Sequence, residues 1–396
     1  MSDLWNAIVK FFTSLRLTVV LLALGIVLVF VATIAQVRVG VWGVHQHFFH
    51  TFFARWEMGG VLVPVFPGGY FIGGLLLLNL IFSHIYRLKF AWKKLGIQLA
   101  HAGVILLLVG ELFAGLLQED FHMSLNEGET RSYAESFRDH ELAIVDTTSP
   151  DHDEVVAIPE ALLARARGGE IATAGKLPFH VVVKEYLPNA GLGMRDASAA
   201  TPAPATAGLG QTIVAVPQSV KSEGNSPAAL VELIGAGGPL GTWLVSAQIS
   251  PDSPAPILRA AQSFDHDGRR WRIELRLRRD YQPFAVTLLK VTHDIYPGTT
   301  IPKNFSSRVR VRANDGREDR EALIYMNNPL RYRGLTFYQF QMDAANHNSV
   351  LQVVRNPGWT LPYVSCALVT LGLVIQFGLS LTRFVGRRQT AVSAQP

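Results

Sequence analysis

Cysteine is nearly absent from this chain: Cys366 is the one thiol, and it sits inside an apolar run. A single thiol excludes a disulfide framework, a C-x-x-C redox pair and a C-x-x-C-H haem attachment site. The protein is therefore neither a thiol oxidoreductase nor itself a c-type cytochrome. Charge is scarce as well, at 17% of residues against 49% hydrophobic, and it is crowded outside a few apolar blocks. No catalytic triad, Walker motif, nucleotide fingerprint or metalloprotease motif is present, so no catalytic residue is expected.

What is there is unevenly distributed hydrophobicity, the mark of an integral membrane protein with a soluble part. Four stretches, 17–36, 70–86, Leu95–Leu117 and 361–381, are each long enough to cross about 30 Å of hydrocarbon. Segment 61–66 lengthens the second only if Pro64 and Pro67 lie at the interface, where proline costs little. About 240 residues separate spans three and four, room for one large or two small domains. Lys10 and Arg16, then Arg87, Lys89, Lys93 and Lys94, then Arg383, Arg387 and Arg388 all flank the spans on one side. The excess of positive charge on the inner side predicts cytoplasmic amino and carboxyl termini in the inner (cytoplasmic) membrane, with the long segment in the periplasm. The net charge of +5 is partly this topological signal, and no nucleic-acid partner is expected. Span one resembles a signal peptide loosely at Thr33-Ile34-Ala35, but its apolar core is longer than an h-region, so it is expected to stay uncleaved.

The expected architecture is thus an α-helical membrane protein with a large β-rich extracytoplasmic domain inserted between spans three and four. Residues 1–118 form a three-span region with an amphipathic outer loop at 41–58. Residues 119–358 form the β-rich domain, with a flexible insertion near 196–227 that is rich in Ala, Ser, Thr, Pro and Gly. Residues 359–396 supply the fourth span and a short tail. Period-two alternation marks strands at 142–145, 179–183, 271–277, 284–291, 309–312, 335–341 and 350–354, and 159–166 is the one helix candidate between them. The segments 176–184 and 282–290 share a Pro-Phe-x-Val pattern, which leaves both a duplicated sheet and chance similarity open.

Several polar residues stand out against this background. His101 lies about 9 Å inside span three at 1.5 Å per residue, too deep for imidazole to reach water, so it should be paired, ligated or facing a cavity. Gln98 is one turn before it, and Ala100, Ala102 and Gly103 leave room beside it. Glu111 follows about 15 Å further along on another face, as a proton carrier, a partner contact or a neutral hydrogen-bonded acid. In span two, Asn79 suits an interhelical hydrogen bond, His84 lies near the inner interface, and Gly68-Gly69 and Gly73-Gly74 permit close helix approach. In the outer loop, Phe48, Phe49, Phe52, Phe53 and Trp56 form an aromatic stripe if 44–56 is helical. His45, His47 and His50 there invite a metal reading that the i, i+2 spacing does not favour. Strand 269–279 alternates apolar and basic residues, and its exposed face is either solvated or turned to an anionic partner.

Three blocks of sequence carry a resemblance: P-F-A-V-T-L-L-K-V-T-H-D-I-Y-P-G-T-T-I-P-K-N-F-S-S-R-V-R-V (283–311), Y-M-N-N-P-L-R-Y-R-G-L-T-F-Y-Q (325–339), and R-N-P-G-W (355–359) entering span four. With S-L-R-L-T-V-V-L-L before span one, the chain resembles the ResB/CcsB family of cytochrome c biogenesis proteins. The resemblance implies the system II maturation route, in which such a protein acts with a CcsA-like membrane partner bearing a W-W-D segment. The pair carries haem b outward and presents it to apocytochrome c. The resemblance assigns a haem axial-ligand role to His101 and to no other residue. Read from position along the helices, His84 is the alternative ligand and Gln98 a candidate to orient the ring; Asn327, Pro329, Tyr332, Gly334, Phe337 and Tyr338 are candidate partner-docking residues, and no metal beyond haem iron is expected. The chain has no W-W-D segment of its own, so it would be the non-catalytic or co-catalytic half of a haem lyase. It also departs from the family pattern at the end of span one, where Ala32-Thr33 stands in place of Gly-Thr. Two other readings remain open: a self-contained b-type electron carrier with His84 and His101 as a bis-histidine pair, and a haem-free scaffold that docks a cytochrome or oxidase.

Overall fold

The computed structural model describes residues 2–58, 61–87, 91–166, 168–173, 175–195, 203–220, 224–251, 253–299, 302–343 and 347–393. Lys89, Thr300, Ile301 and parts of the 196–227 segment lie outside them. The chain divides into two compact units, one made of residues 1–119 and 355–396 and the other of residues 120–354.

The first unit is helical. A short amphipathic helix α1 (Ser2–Phe12) precedes α2 (Leu15–Val44), α3 (Gly69–Tyr86), α4 (Leu95–Leu117) and, after the second unit, α6 (Leu361–Ser393). Four of these are long and apolar enough to cross a membrane. Buried Asn79 ties the α1–α2 elbow to α3, its amide donating to the carbonyls of Phe12 (2.6 Å) and Ser14 (3.2 Å) while its Oδ1 accepts from Thr18 (2.7 Å). Trp5 and Phe12 lay their rings against Phe82 at 6.3 and 5.2 Å.

Glycine sets the closest helix contact, though at other positions than expected. Gly96, Gly103 and Gly110 are the buried residues of α4, and they recur every seven residues along one face. A Cβ at Gly96 would stand 2.6 Å from the Gly372 carbonyl oxygen, and one at Gly372 would stand 2.6 Å from the Ala100 nitrogen. The backbones of α4 and α6 therefore touch, as small residues allow in helix pairs. Gly73 and Gly74 have nothing within 4 Å of where a Cβ would be, and so mediate no close approach within this chain.

The expected helical outer loop is also corrected. Gly40 breaks α2 with φ +73°, a single π-helical turn covers His45–Phe49, and the chain then enters a hairpin of β1 (Phe53–Met58) and β2 (Val61–Pro67). The aromatic stripe through Trp56 does not form on a helix, because its second half is extended. Segment 61–67 is a strand and adds nothing to span two.

The second unit is β-rich. Its elements are β3 (Glu119–Asn126), β4 (Thr130–Asp146), β5 (Glu154–Pro159), α5 (Glu160–Arg165), β6 (Gly169–Ile171), β7 (Phe179–Leu187), β8 (Ala190–Met194), β9 (Ile213–Pro217), β10 (Ala228–Gly235) and β11 (Gly238–Ser246). They continue with β12 (Gln262–His266), β13 (Arg269–Ile295), β14 (Pro302–Ala313), β15 (Asp319–Tyr325), β16 (Leu330–Tyr332), β17 (Leu335–Asp343) and β18 (Asn348–Arg355). One sheet runs β11-β10-β7-β6. The larger runs β15-β14-β13-β4-β3-β18-β17-β16, with β12 and β5 added beside β13 and β4.

Two cores follow from this. In one, Phe179, Val181 and Val183 of β7 and Val231 and Leu233 of β10 pack with Leu142 and Ile144 of β4 and Trp271, Ile273 and Leu275 of β13. In the other, Phe284, Val286 and Leu288 of β13 join Phe121, Val309, Val311, Ile324, Tyr332, Phe337 and Leu351. The two Pro-Phe-x-Val segments thus fall in different sheets, with Phe179 and Phe284 each buried in its own core. The expected strands at 271–277 and 284–291 are one continuous strand. The pairing register shifts between Tyr281 and Val286, where an irregularity accommodates Pro283, which cannot donate to a ladder. The segment expected to be a flexible insertion carries structure where it is described: β9 pairs with β8, and Ala205, Ile213 and Leu244 form a small core.

Candidate functional site

Within the helical unit, α3 and α4 bring the rings of His84 and His101 together, with centroids 6.4 Å apart and planes inclined by 40°. Their placement follows from helix geometry. Gly96 and Gly103 turn one face of α4 to α6, and at 100° per residue His101 then projects from a different face. The Nδ1 atoms of both rings are buried without a hydrogen-bond partner. Buried imidazole nitrogens that lack a partner are costly, and a ligand or ion between them would remove that cost. Two imidazoles on opposite sides of one iron, each with a metal–nitrogen distance of about 2.0 Å, hold their centroids a little over about 6 Å apart. The spacing of the two rings here is of that size.

At the carboxyl-terminal end of α4 a second group gathers. His50 stacks on Tyr70 at 5.5 Å with planes 2° apart, and His45 meets His50 edge-on at 5.7 Å. Gly115 of α4 faces this group, a Cβ there standing 3.8 Å from His50 Nε2. Among the described residues, no three His, Cys, Asp or Glu side chains converge to hold a metal ion.

The residues singled out for docking on the β-rich unit separate by burial. Tyr332 (6% exposed) and Phe337 (0%) belong to the core, where Tyr332 packs edge-on against Phe284 at 4.8 Å. Tyr338 is exposed, and Asn327 (φ +62°) and Gly334 (φ +81°) shape the turns that return the chain to β16 and β17. Pro329 follows the first of these turns. This stretch is therefore in large part a folding signature.

The basic strand is not a free cationic face. Arg269 pairs with Asp146 (3.1 Å), Arg270 with Asp265 (3.3 Å), Arg272 with Asp153 (3.6 Å), Arg276 with Glu141 (3.0 Å), Arg278 with Asp139 (3.3 Å) and Arg279 with Glu135 (3.0 Å). An open basin of about 610 Å³ lies above Arg272, Arg276 and Arg279, but carboxylates already meet each of these cations. A clamp with no sequence signal sits nearby: Glu160 of α5 accepts from the Tyr186 hydroxyl and from the His140 backbone N–H, and its Oε2 lies 3.3 Å from His140 Nδ1.

Comparisons with known proteins give one family match and partial relatives. Residues 261–350, from β12 into β18, match the model of the ResB-like family. Protein NrfI of Wolinella succinogenes is 32% identical over 92 residues, 23% of this chain and 10% of that protein. Cytochrome c biogenesis protein CcsB of Crocosphaera subtropica is 42% identical over 69 residues, 17% of this chain and 15% of that protein. The matched stretches thus span a small fraction of either relative's length.

Proposed function

We propose that this chain, which belongs to the ResB-like family through its segment 261–350, serves cytochrome c biogenesis as one half of a membrane complex that carries haem and presents it to an apocytochrome. The observation that carries the haem part of this reading is His101, whose Nδ1 is buried without a hydrogen-bond partner inside the membrane-spanning unit.

In this reading haem is cargo. When bound, it supplies vinyl groups to which the thiols of another protein add as thioethers, so no nucleophile is required from this chain. His101 offers a neutral imidazole lone pair to iron from α4, and a CcsA-like partner with a W-W-D segment supplies the opposite ligand. Gln98 lies one turn away on α4 and can orient the ring. The His101 ring is half-buried within this chain, and the α4–α6 contact fixes the helix that carries the ligand. The β-rich unit holds the apocytochrome on the outer side of the inner membrane, where its thiols meet the cargo at short range.

The test is the haem content of the complex purified from the membrane. His101→Ala is expected to lower it several-fold, with partial recovery on adding imidazole or in His101→Cys. Unchanged haem in the alanine variant would sink the assignment.

A second reading is favoured by the same ring pair. In it His84, whose ring centroid lies 6.4 Å from that of His101, would supply the second axial ligand of a self-contained b-type haem. The absorption spectrum of the chain purified without any partner separates the two. A reversible low-spin signal that His84→Ala and His101→Ala abolish equally belongs to the self-contained carrier. Haem retained only with the partner, and insensitive to His84→Ala, belongs to the shared site.

A further inference from the structure

We propose that His45 and His50 form a second ligand pair, which binds a first-row transition metal through two imidazoles at the carboxyl-terminal end of α2. On an α-helix, residues five apart point in different directions. Here the His50 N–H donates to the His45 carbonyl at 2.7 Å, and this π-turn brings the two rings to 5.7 Å. Two imidazoles that share one ion at metal–nitrogen distances of about 2.0–2.1 Å place their centroids about 5–6 Å apart.

The pair is held by devices from α3 and α4. A Cβ at Gly68 would collide with the Thr51 carbonyl, and one at Gly69 would stand 2.5 Å from that of Phe49, so both glycines are needed for the turn to rest on the start of α3. Tyr70 supports the His50 ring from one side. On α4, a Cβ at Gly115 would stand 3.8 Å from His50 Nε2 and 3.3 Å from the Tyr70 hydroxyl, which places that nitrogen beside a position kept small. Since no third ligand converges among the described residues, water or a porphyrin completes the coordination.

Imidazole suits iron, copper and zinc alike, so the shared chemistry admits either a bare divalent ion or the iron of a haem. The haem source rests on the function proposed above, and the bare ion does not. Aromatic packing alone would explain the ring contacts, but packing needs no ring nitrogen, and this difference decides the experiment.

The full chain in detergent micelles, with the other pair silenced by His84→Phe and His101→Phe, is titrated separately with copper(II) chloride and with haemin. We expect about one equivalent of at least one probe to bind, with His45→Phe and His50→Phe each weakening it about tenfold or more and His47→Phe leaving it unchanged. Copper should show nitrogen hyperfine structure in its electron paramagnetic resonance spectrum, and haemin a shifted Soret band. Copper binding alone assigns a bare-ion site, and haemin binding assigns a second haem station. No binding of either probe, unchanged binding in both phenylalanine variants, or equal loss in His47→Phe would overturn the proposal. Because the His84–His101 pair is absent throughout, the result does not depend on whether that pair binds haem.

Discussion

The Glu160 carboxylate shows how much structure one side chain can organise. It lies at the start of α5 and joins β4, through His140, to β7, through Tyr186. Burial pushes its carboxyl up, but the hydrogen bonds from His140 and Tyr186 together outweigh burial and hold it below the ordinary value of 4.5. A carboxyl depressed in the folded state contributes stability that is full above its unfolded value and is lost as pH falls through the folded one. Glu160→Gln should therefore destabilise the β-rich unit by about 1–2 kcal/mol at neutral pH and flatten the acid limb of its stability profile below about pH 4.5. Denaturant titrations of both proteins across pH 3–7 measure this, and an acid limb as steep in the variant as in the parent would refute it. Nothing in the sequence marks this clamp, because its partners are 20 and 26 positions away. His101 was legible for the opposite reason: an ionisable group deep in an apolar run is conspicuous without knowledge of its neighbours. Asn79 was legible in the same way, and its predicted interhelical bond is present. The pairing of His45 with His50 was hidden, since a π-turn alters which residues share a face and leaves no periodic trace.

Among elements, the contact between α4 and α6 is the one most exposed to a single substitution. Gly103 faces the Ser365 carbonyl and Val369, with a Cβ there 2.7 Å from the valine side chain and 2.9 Å from the carbonyl oxygen. Gly372 faces the Ala100 backbone. Gly372→Leu and Gly103→Val should separate the helices, each at a cost of about 1–3 kcal/mol or more, since backbone atoms cannot move aside as a flexible side chain can. Gly73→Leu, with open space around it, should cost little. Thermal aggregation in detergent compares the three, and equal losses would show that helix propensity rather than packing is being read. The four spans were recoverable from hydropathy because lipid-facing helices must be apolar on all sides. Their packing was not, since glycines appear in all four spans and hydropathy does not distinguish a glycine against a neighbour from one facing lipid. The seven-residue spacing of Gly96, Gly103 and Gly110 was the available signal. The hairpin of β1 and β2 was missed because its aromatic residues also satisfy a helical stripe, and short apolar runs do not settle period.

At the scale of the molecule, the second unit has two cores but one pair of strands common to both. Leu142 and Ile144 of β4 serve one core and Ala134 the other, while β13 contributes Trp271, Ile273 and Leu275 to the first and Phe284, Val286 and Leu288 to the second. The large sheet also curls until β14 and β17 meet, with Ser307 donating to Gln339 at 2.6 Å and lying 2.7 Å from Ser349. Strands that cross both cores couple them, because the ladder between β4 and β13 cannot open in one half without weakening the support of the other. Ile273 is 1% exposed and belongs only to the first core. Ile273→Ala should cost about 2–5 kcal/mol. If the unit is one cooperative body, amide exchange should accelerate by a similar factor in β7 and β10 of the first core and in β14 and β17 of the second. Hydrogen exchange with mass spectrometry on the full chain resolves these peptides. Acceleration confined to β7, β10 and the first half of β13 would mean that the irregularity between Tyr281 and Val286 insulates one core from the other. In that case the second core, most of whose buried residues lie in the stretch matching the ResB-like family, would keep its packing while the first core opens.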